Sequence, residues 1–222
     1  MDHHQGRSGG TEGEAPLRRL LLILLAVAAG LASPAAFSTD EAGRRLAALI
    51  QVMQADLERA TTAGQNARLL ENASLLPVMA REVGARPQEV AAARSLYDFV
   101  LRHESGQAAA VLRQLAQARP FSPLPSGIPQ VRALALGRSI HRAACAGCHD
   151  VPQAKTLLPA ENLFHLACKE AAPALEARLL LGVKGMAAEG HRNPFSPDEL
   201  AALAAWYRKN ANSGCRGLGS KP

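Results

Sequence analysis

Apolar residues recur at helical spacing through most of this chain, and breaks in that rhythm divide it into segments. Leu46, Leu49, Ile50, Met53 and Leu57 form an i, i+3, i+4, i+7, i+11 stripe behind the capping run Ser38-Thr39-Asp40-Glu41. Thr61-Thr62-Ala63-Gly64 interrupts it. A second set follows at Leu69, Leu70, Ala73, Leu76, Val78, Met79 and Val83, ended by Gly84. Pro87 stands where a first-turn proline belongs, and Val90, Leu96, Phe99 and Val100 predict a third helix. Ser105-Gly106 separates this from a fourth, carrying Ala109, Leu112 and Leu115. Four amphipathic helices with short turns predict an up-and-down bundle over residues 37–119. Met53 and Met79 read as core filler and His103 as a surface residue. The bundle's residues name no function for it.

Four prolines between Pro120 and Pro129 remove backbone donors and fix φ, so residues 120–130 predict a stiff, extended linker. Beyond it, Gly137-Arg138-Ser139-Ile140-His141-Arg142-Ala143-Ala144 reads as a helix running into Cys145. Near the far end, Ser196-Pro197-Asp198-Glu199-Leu200 is a helix start, continued by Ala201, Leu203, Ala204, Trp206 and Tyr207. The fold class expected for the whole chain is all-α.

The first 36 residues differ. Arg18 and Arg19 precede an apolar run from Leu20 to Leu31, and the small residues Ala32, Ser33, Ala35 and Ala36 follow. This is the order of a secretory leader. The run is shorter than the ~20 apolar residues of a spanning helix. Cleavage after Ala35 or Ala36 is the expectation; because a long polar stretch precedes Arg18, retention as an anchor is the alternative. No cysteine follows the apolar run directly, which argues against a lipid anchor.

Charge changes the picture little. The leader carries Arg7, Arg18 and Arg19 against Asp2, Glu12 and Glu14, so the remainder keeps the +6 of the whole chain. The excess is spread, and no basic block interleaved with aromatics suggests nucleic acid. It suits solubility, and equally the docking of an acidic or membrane-bound redox partner.

The most specific chemistry lies in Cys145-Ala146-Gly147-Cys148-His149. C-x-x-C-H is the attachment sequence of c-type haem. Two thiols at this spacing can each form a thioether to one vinyl group of a single porphyrin, and the next imidazole can bind the iron. A zinc site would need a second ligand pair, whereas Cys168 and Cys215 stand apart. A thioredoxin-like redox pair would follow a strand. The chain has this motif once, so one covalent haem is expected.

A helix with an early glycine ahead of C-x-x-C-H, followed by a C-terminal helix with an aromatic pair, resembles the class I c-type cytochromes. The resemblance covers residues 131–210 and implies a haem domain over residues 131–215, with residues 216–222 as a tail. It implies that the two helices cross at Gly137 against Trp206 or Tyr207. Cys145 and Cys148 would hold the porphyrin and His149 would be the proximal iron ligand. Leu157-Leu158-Pro159-Ala160-Glu161-Asn162-Leu163 is similar to the family's loop whose proline carbonyl accepts the proximal histidine's N–H. Pro159 would fill that role, with Pro152 as the alternative. Met186, after Lys184-Gly185, stands where the family has its distal ligand. Here Ala187 follows it in place of the usual proline, and His191 lies five residues on. The resemblance implies Met186 as the distal ligand, with His191 or an open site as alternatives.

His141 and His165 read as exposed helix residues or partner contacts. Cys168 and Cys215 are expected to form a disulfide, since leftover cysteines pair in an oxidising compartment. No Ser-His-Asp set, phosphate loop or paired carboxylates accompany these features. The resulting expectation is a periplasmic carrier of single electrons rather than a catalyst. The alternatives are a haem enzyme or sensor with an open sixth position, and the electron-input subunit of a membrane complex.

Overall fold

A computed structural model describes residues 34–60, 63–123, 126–150, 160–182 and 194–215, with side chains from residue 41 onward except 63 and 212–214. Among them every regular element is helical. The first four helices are α1 (Pro34–Arg59), α2 (Ala63–Glu82), α3 (Pro87–Leu101) and α4 (Ser105–Ala118). After the Pro-rich segment come α5 (Gln130–Ile140), one turn of π-helix (His141–Cys145) and the short α6 (Ala146–His149). The last three are α7 (Leu163–Lys169), α8 (Ala172–Leu181) and α9 (Pro197–Cys215). Residues 1–33 of the expected leader lie outside the described residues. Among those described, no helix is long and apolar enough to cross a membrane. The chain clusters into two compact units, Met1–Asp40 and Glu41–Pro222, and the second contains both hydrophobic clusters.

Helix ends follow local chemistry, with two departures from the sequence expectation. α1 runs through Ser38–Glu41 rather than starting behind it; Pro34, at its first position, has the φ a helix start requires. The break between α3 and α4 falls at Arg102–Glu104 and leaves Gly106 inside α4. The residue that turns the chain there is His103, at φ 59°, an uncommon backbone conformation for a side-chain-bearing residue. As expected, His103 is exposed. Gly84 closes α2 at φ 64°, where a Cβ would be strained, while the Gly84 and Ala85 amides donate to the carbonyls of Arg81 and Ala80. At the start of α3, Glu89 accepts from the Arg86 amide at 2.9 Å and from Arg119 at the end of α4 at 3.1 Å. Burial raises the Glu89 pKa, but the Arg86 amide and the two guanidinium groups outweigh it and hold the carboxyl below its usual range.

The stripe on α1 packs as the periodicity predicts. Leu46, Leu49, Ile50 and Met53 join Leu69, Ala73 and Leu76 of α2, Ala93 and Leu96 of α3, and Ala108, Leu112 and Leu115 of α4. Met53 is wholly buried there and Met79 is partly so, which places both as packing residues. The opposite face of α1 is also apolar. Ala48 and Val52 belong to a second cluster with Ile140, Leu166, Leu175, Leu180, Leu200, Leu203 and Tyr207. One helix therefore serves both cores, and Phe121 of the Pro-rich segment packs on the second.

Charged groups fasten the same contact. Arg178 of α8 donates from Nη2 to Asp56 of α1 at 2.6 Å and to Glu170 at 2.7 Å, and from Nε to Glu170 at 2.8 Å. Arg59 also pairs with Glu170, and Arg68 stands 3.8 Å from Asp56. The side chains of Glu170 and Asp56 are only 1% and 5% exposed, so these are interior ion pairs. Burial alone would lower the Arg178 pKa; hydrogen bonds and charge from Glu170 and Asp56 raise it instead, so the guanidinium stays charged. No feature of the sequence flagged this cluster.

Cys168, at the end of α7, and Cys215, the last residue of α9, are joined by a disulfide, with Cα atoms 5.9 Å apart. This separation lies within the range a disulfide spans without backbone movement.

Candidate haem site

The site is built where α5 crosses α9. Gly137 permits the crossing. A Cβ there would lie 2.8 Å from the Ala202 carbonyl carbon and 2.7 Å from Trp206 Cβ, closer than real side chains approach. Trp206 is thus the residue against the glycine, while Tyr207, fully buried, turns into the core below. We expect Gly137→Ala to destabilise the protein by roughly 3 kcal/mol, because the obstacle is backbone and cannot rotate away. Urea unfolding measures this; a loss below about 0.5 kcal/mol would show that the crossing tolerates a methyl.

α9 starts with a reciprocal cap. Ser196 Oγ accepts the Glu199 amide at 3.3 Å, and Glu199 Oε2 accepts the Ser196 amide at 2.7 Å. Asp198, in the same turn, accepts the Gly127 amide at 2.9 Å and so ties the Pro-rich segment to this helix.

From the crossing, α5 widens into the π-turn and delivers the attachment residues. Cys145 is half-buried and Cys148 exposed, and both are free thiols. Burial raises the Cys145 pKa, so the sulfur is held as a neutral thiol. His149 Nδ1 lies 2.6 Å from the carbonyl oxygen of Glu161. That contact requires Nδ1 to carry the proton, which leaves the Nε2 lone pair as the metal-binding one. Pro159 and Pro152 lie outside the described residues; the observed acceptor, Glu161, belongs to the same loop, just before the Asn162 cap of α7. Met186 and His191 also lie outside the described residues.

His141 is not the exposed residue the sequence suggested. It is 5% exposed, with Nδ1 3.0 Å from the Tyr207 hydroxyl and Nε2 3.2 Å from Asp150 Oδ1. Its ring meets Phe164 and Tyr207 edge-on, at centroid distances of 5.0 and 5.5 Å. A buried imidazole is tolerable because both nitrogens are engaged. The signal was in the spacing, since Ala133, Gly137, Ile140 and His141 fall on one helix face. Burial raises the Tyr207 pKa strongly, with Cys145 and Asp150 adding to it, so the hydroxyl remains a neutral hydrogen-bonding group. His165 is partly buried on α7.

These side chains suit a covalently bound haem. A half-buried thiol and an exposed thiol three residues apart, both unpaired, lie next to an imidazole fixed with Nε2 available. A helix precedes the pair, rather than the strand of a thioredoxin-like site.

Residues 132–206 match the family model described as Cytochrome C oxidase, cbb3-type, subunit III. No curated protein and no solved structure matches the chain. The C-terminal part of this protein is a c-type cytochrome domain, and its class of function is electron transfer through covalently bound haem c.

Proposed function

We propose that the protein is a periplasmic carrier of single electrons with one haem, attached through Cys145 and Cys148 and ligated by His149. The observation that carries this reading is the His149 ring, held by the Glu161 carbonyl at 2.6 Å beside two free thiols. When bound, the haem supplies a reversible one-electron change at iron. The chain's own work is to anchor, orient and tune. The two cysteines fix the porphyrin, and the Glu161 carbonyl keeps the imidazole in one tautomer and strengthens it as a ligand. Met186 is the proposed distal ligand; its soft sulfur favours ferrous iron and a higher potential than a second histidine would give. The leader and the covalent haem both support export to the periplasm. The single C-x-x-C-H in the sequence supports one haem.

A second reading has one observation in its favour. The matching family is described as a subunit of an oxidase, so the chain would be the electron-input subunit of a membrane complex. Both readings use the same haem.

Visible spectra of the ferric and ferrous protein, with and without carbon monoxide, test the axial ligands. A ferrous spectrum that ignores carbon monoxide, with a weak far-red band in the ferric form that Met186→Ala abolishes, is the expected result. If His191→Ala removes the sixth ligand and Met186→Ala does not, the distal ligand is His191. Rapid carbon monoxide binding by the unmodified protein would favour an enzyme or sensor over a carrier.

A further inference from the structure

From Ser105 to His149 the chain has no acidic residue, yet it carries Arg113, Arg119, Arg132, Arg138 and Arg142. α5 and the π-turn sort the later part of that stretch into two faces. Ala133, Gly137, Ile140 and His141 go inward. Arg132, Ala135, Arg138, Ser139, Arg142 and Ala143 are exposed, and all but the first line one shallow depression. Small side chains thus alternate with the two guanidinium groups, so neither charge is screened by a bulky neighbour.

Among the described residues, three acids of neighbouring segments are engaged elsewhere. Asp150 is held by His141 at 3.2 Å, Asp198 by the Gly127 amide at 2.9 Å, and Glu199 caps its own helix. Among the described residues, neither the Arg138 nor the Arg142 guanidinium has an ion-pair or hydrogen-bond partner. Arg119, by contrast, is committed to Glu89. The free pair is continuous with the attachment segment, since Arg142 stands three residues before Cys145.

We propose that the exposed face of α5 and the π-turn, centred on Arg138 and Arg142, is the docking surface for an acidic redox protein. The proposal deepens the electron-transfer reading and rests on it. Two planar guanidinium groups on one face match surface carboxylates in bidentate geometry. A partner seated there meets the chain at the segment that carries the haem. A lipid surface fits less well: Val131 is the one large exposed apolar side chain on α5, and Ala135, Ser139 and Ala143 are too short to insert.

The test uses the ferrous holoprotein and two oxidants of opposite charge, ferricyanide and tris(phenanthroline)cobalt(III), followed by stopped flow across ionic strength. Ferricyanide stands in for the partner's carboxylates. Arg138→Glu/Arg142→Glu should slow oxidation by ferricyanide about tenfold at low salt and speed oxidation by the cobalt complex. The difference should vanish near 1 M salt, where charges are screened beyond ~3 Å. An unchanged ferrous spectrum shows that the variant is folded and loaded. Equal rates for variant and wild type at low salt would overturn the proposal. So would binding to phosphatidylglycerol vesicles that the variant loses while its ferricyanide rate is unchanged, since the face would then serve a membrane. Failure of the electron-transfer reading is distinguishable, as a wild-type protein that neither complex oxidises, and it overturns this proposal with it.

Discussion

Replacing Cys145 and Cys148 together by serine should leave the protein with no covalently held haem. Acid-acetone extraction of the purified wild-type protein should leave its red chromophore on the polypeptide. The same treatment of the double variant should strip any haem that His149 still binds. The reasoning is chemical. A thioether survives acid and organic solvent, whereas an iron–imidazole bond does not once the imidazole is protonated. Either single variant should keep at most one thioether and yield less holoprotein. Both thiols are unpaired in the structure, Cys145 half-buried and Cys148 exposed, so each is free to form that bond. Haem extracted from the wild-type protein as readily as from the variant would remove the basis of the assignment.

The second large effect is expected far from the attachment motif. Arg178→Met should destabilise the protein by about 3–5 kcal/mol, because removing one member of a buried ion cluster leaves the others poorly compensated. Asp56 would lose its closest cation, at 2.6 Å, and Glu170 one of its two guanidinium partners, at 2.7 Å, with Arg59 and Arg68 left to share them. A urea titration read by circular dichroism checks this, with the midpoint falling and the slope unchanged. The loss should persist in high salt, since buried pairs are screened little. A change below about 1 kcal/mol would mean that the cluster is solvated in solution and behaves as a surface pair.

These two predictions draw on parts of the molecule that the sequence revealed unequally. The attachment motif is legible because three reactive side chains must sit at fixed spacing on one turn, whatever surrounds them. The helices were legible for a similar local reason: their apolar stripes, proline starts and glycine ends are written residue by residue. Gly137 and Trp206 could be paired only through resemblance, since nothing local says which helix a glycine meets. The cluster of Asp56, Glu170 and Arg178 was not legible at all. Its members come from helices far apart in the chain, and each alone looks like an ordinary charged residue on a helix. The two-sided role of α1 is not legible in the sequence, because Ala48 and Val52 are small beside the Leu, Ile and Met stripe of the other face. His141 shows the bias of residue type over position. A histidine suggests an exposed position by its type, whereas its spacing from Ala133, Gly137 and Ile140 places it inward.

The central claim is one haem joined covalently to this chain, and the intact mass of the purified, denatured protein tests it most directly. The account predicts the mass of the processed polypeptide plus that of a single haem, with all of the addition lost when Cys145 and Cys148 are both serine. A bare polypeptide mass, or an addition of two haems, would contradict it.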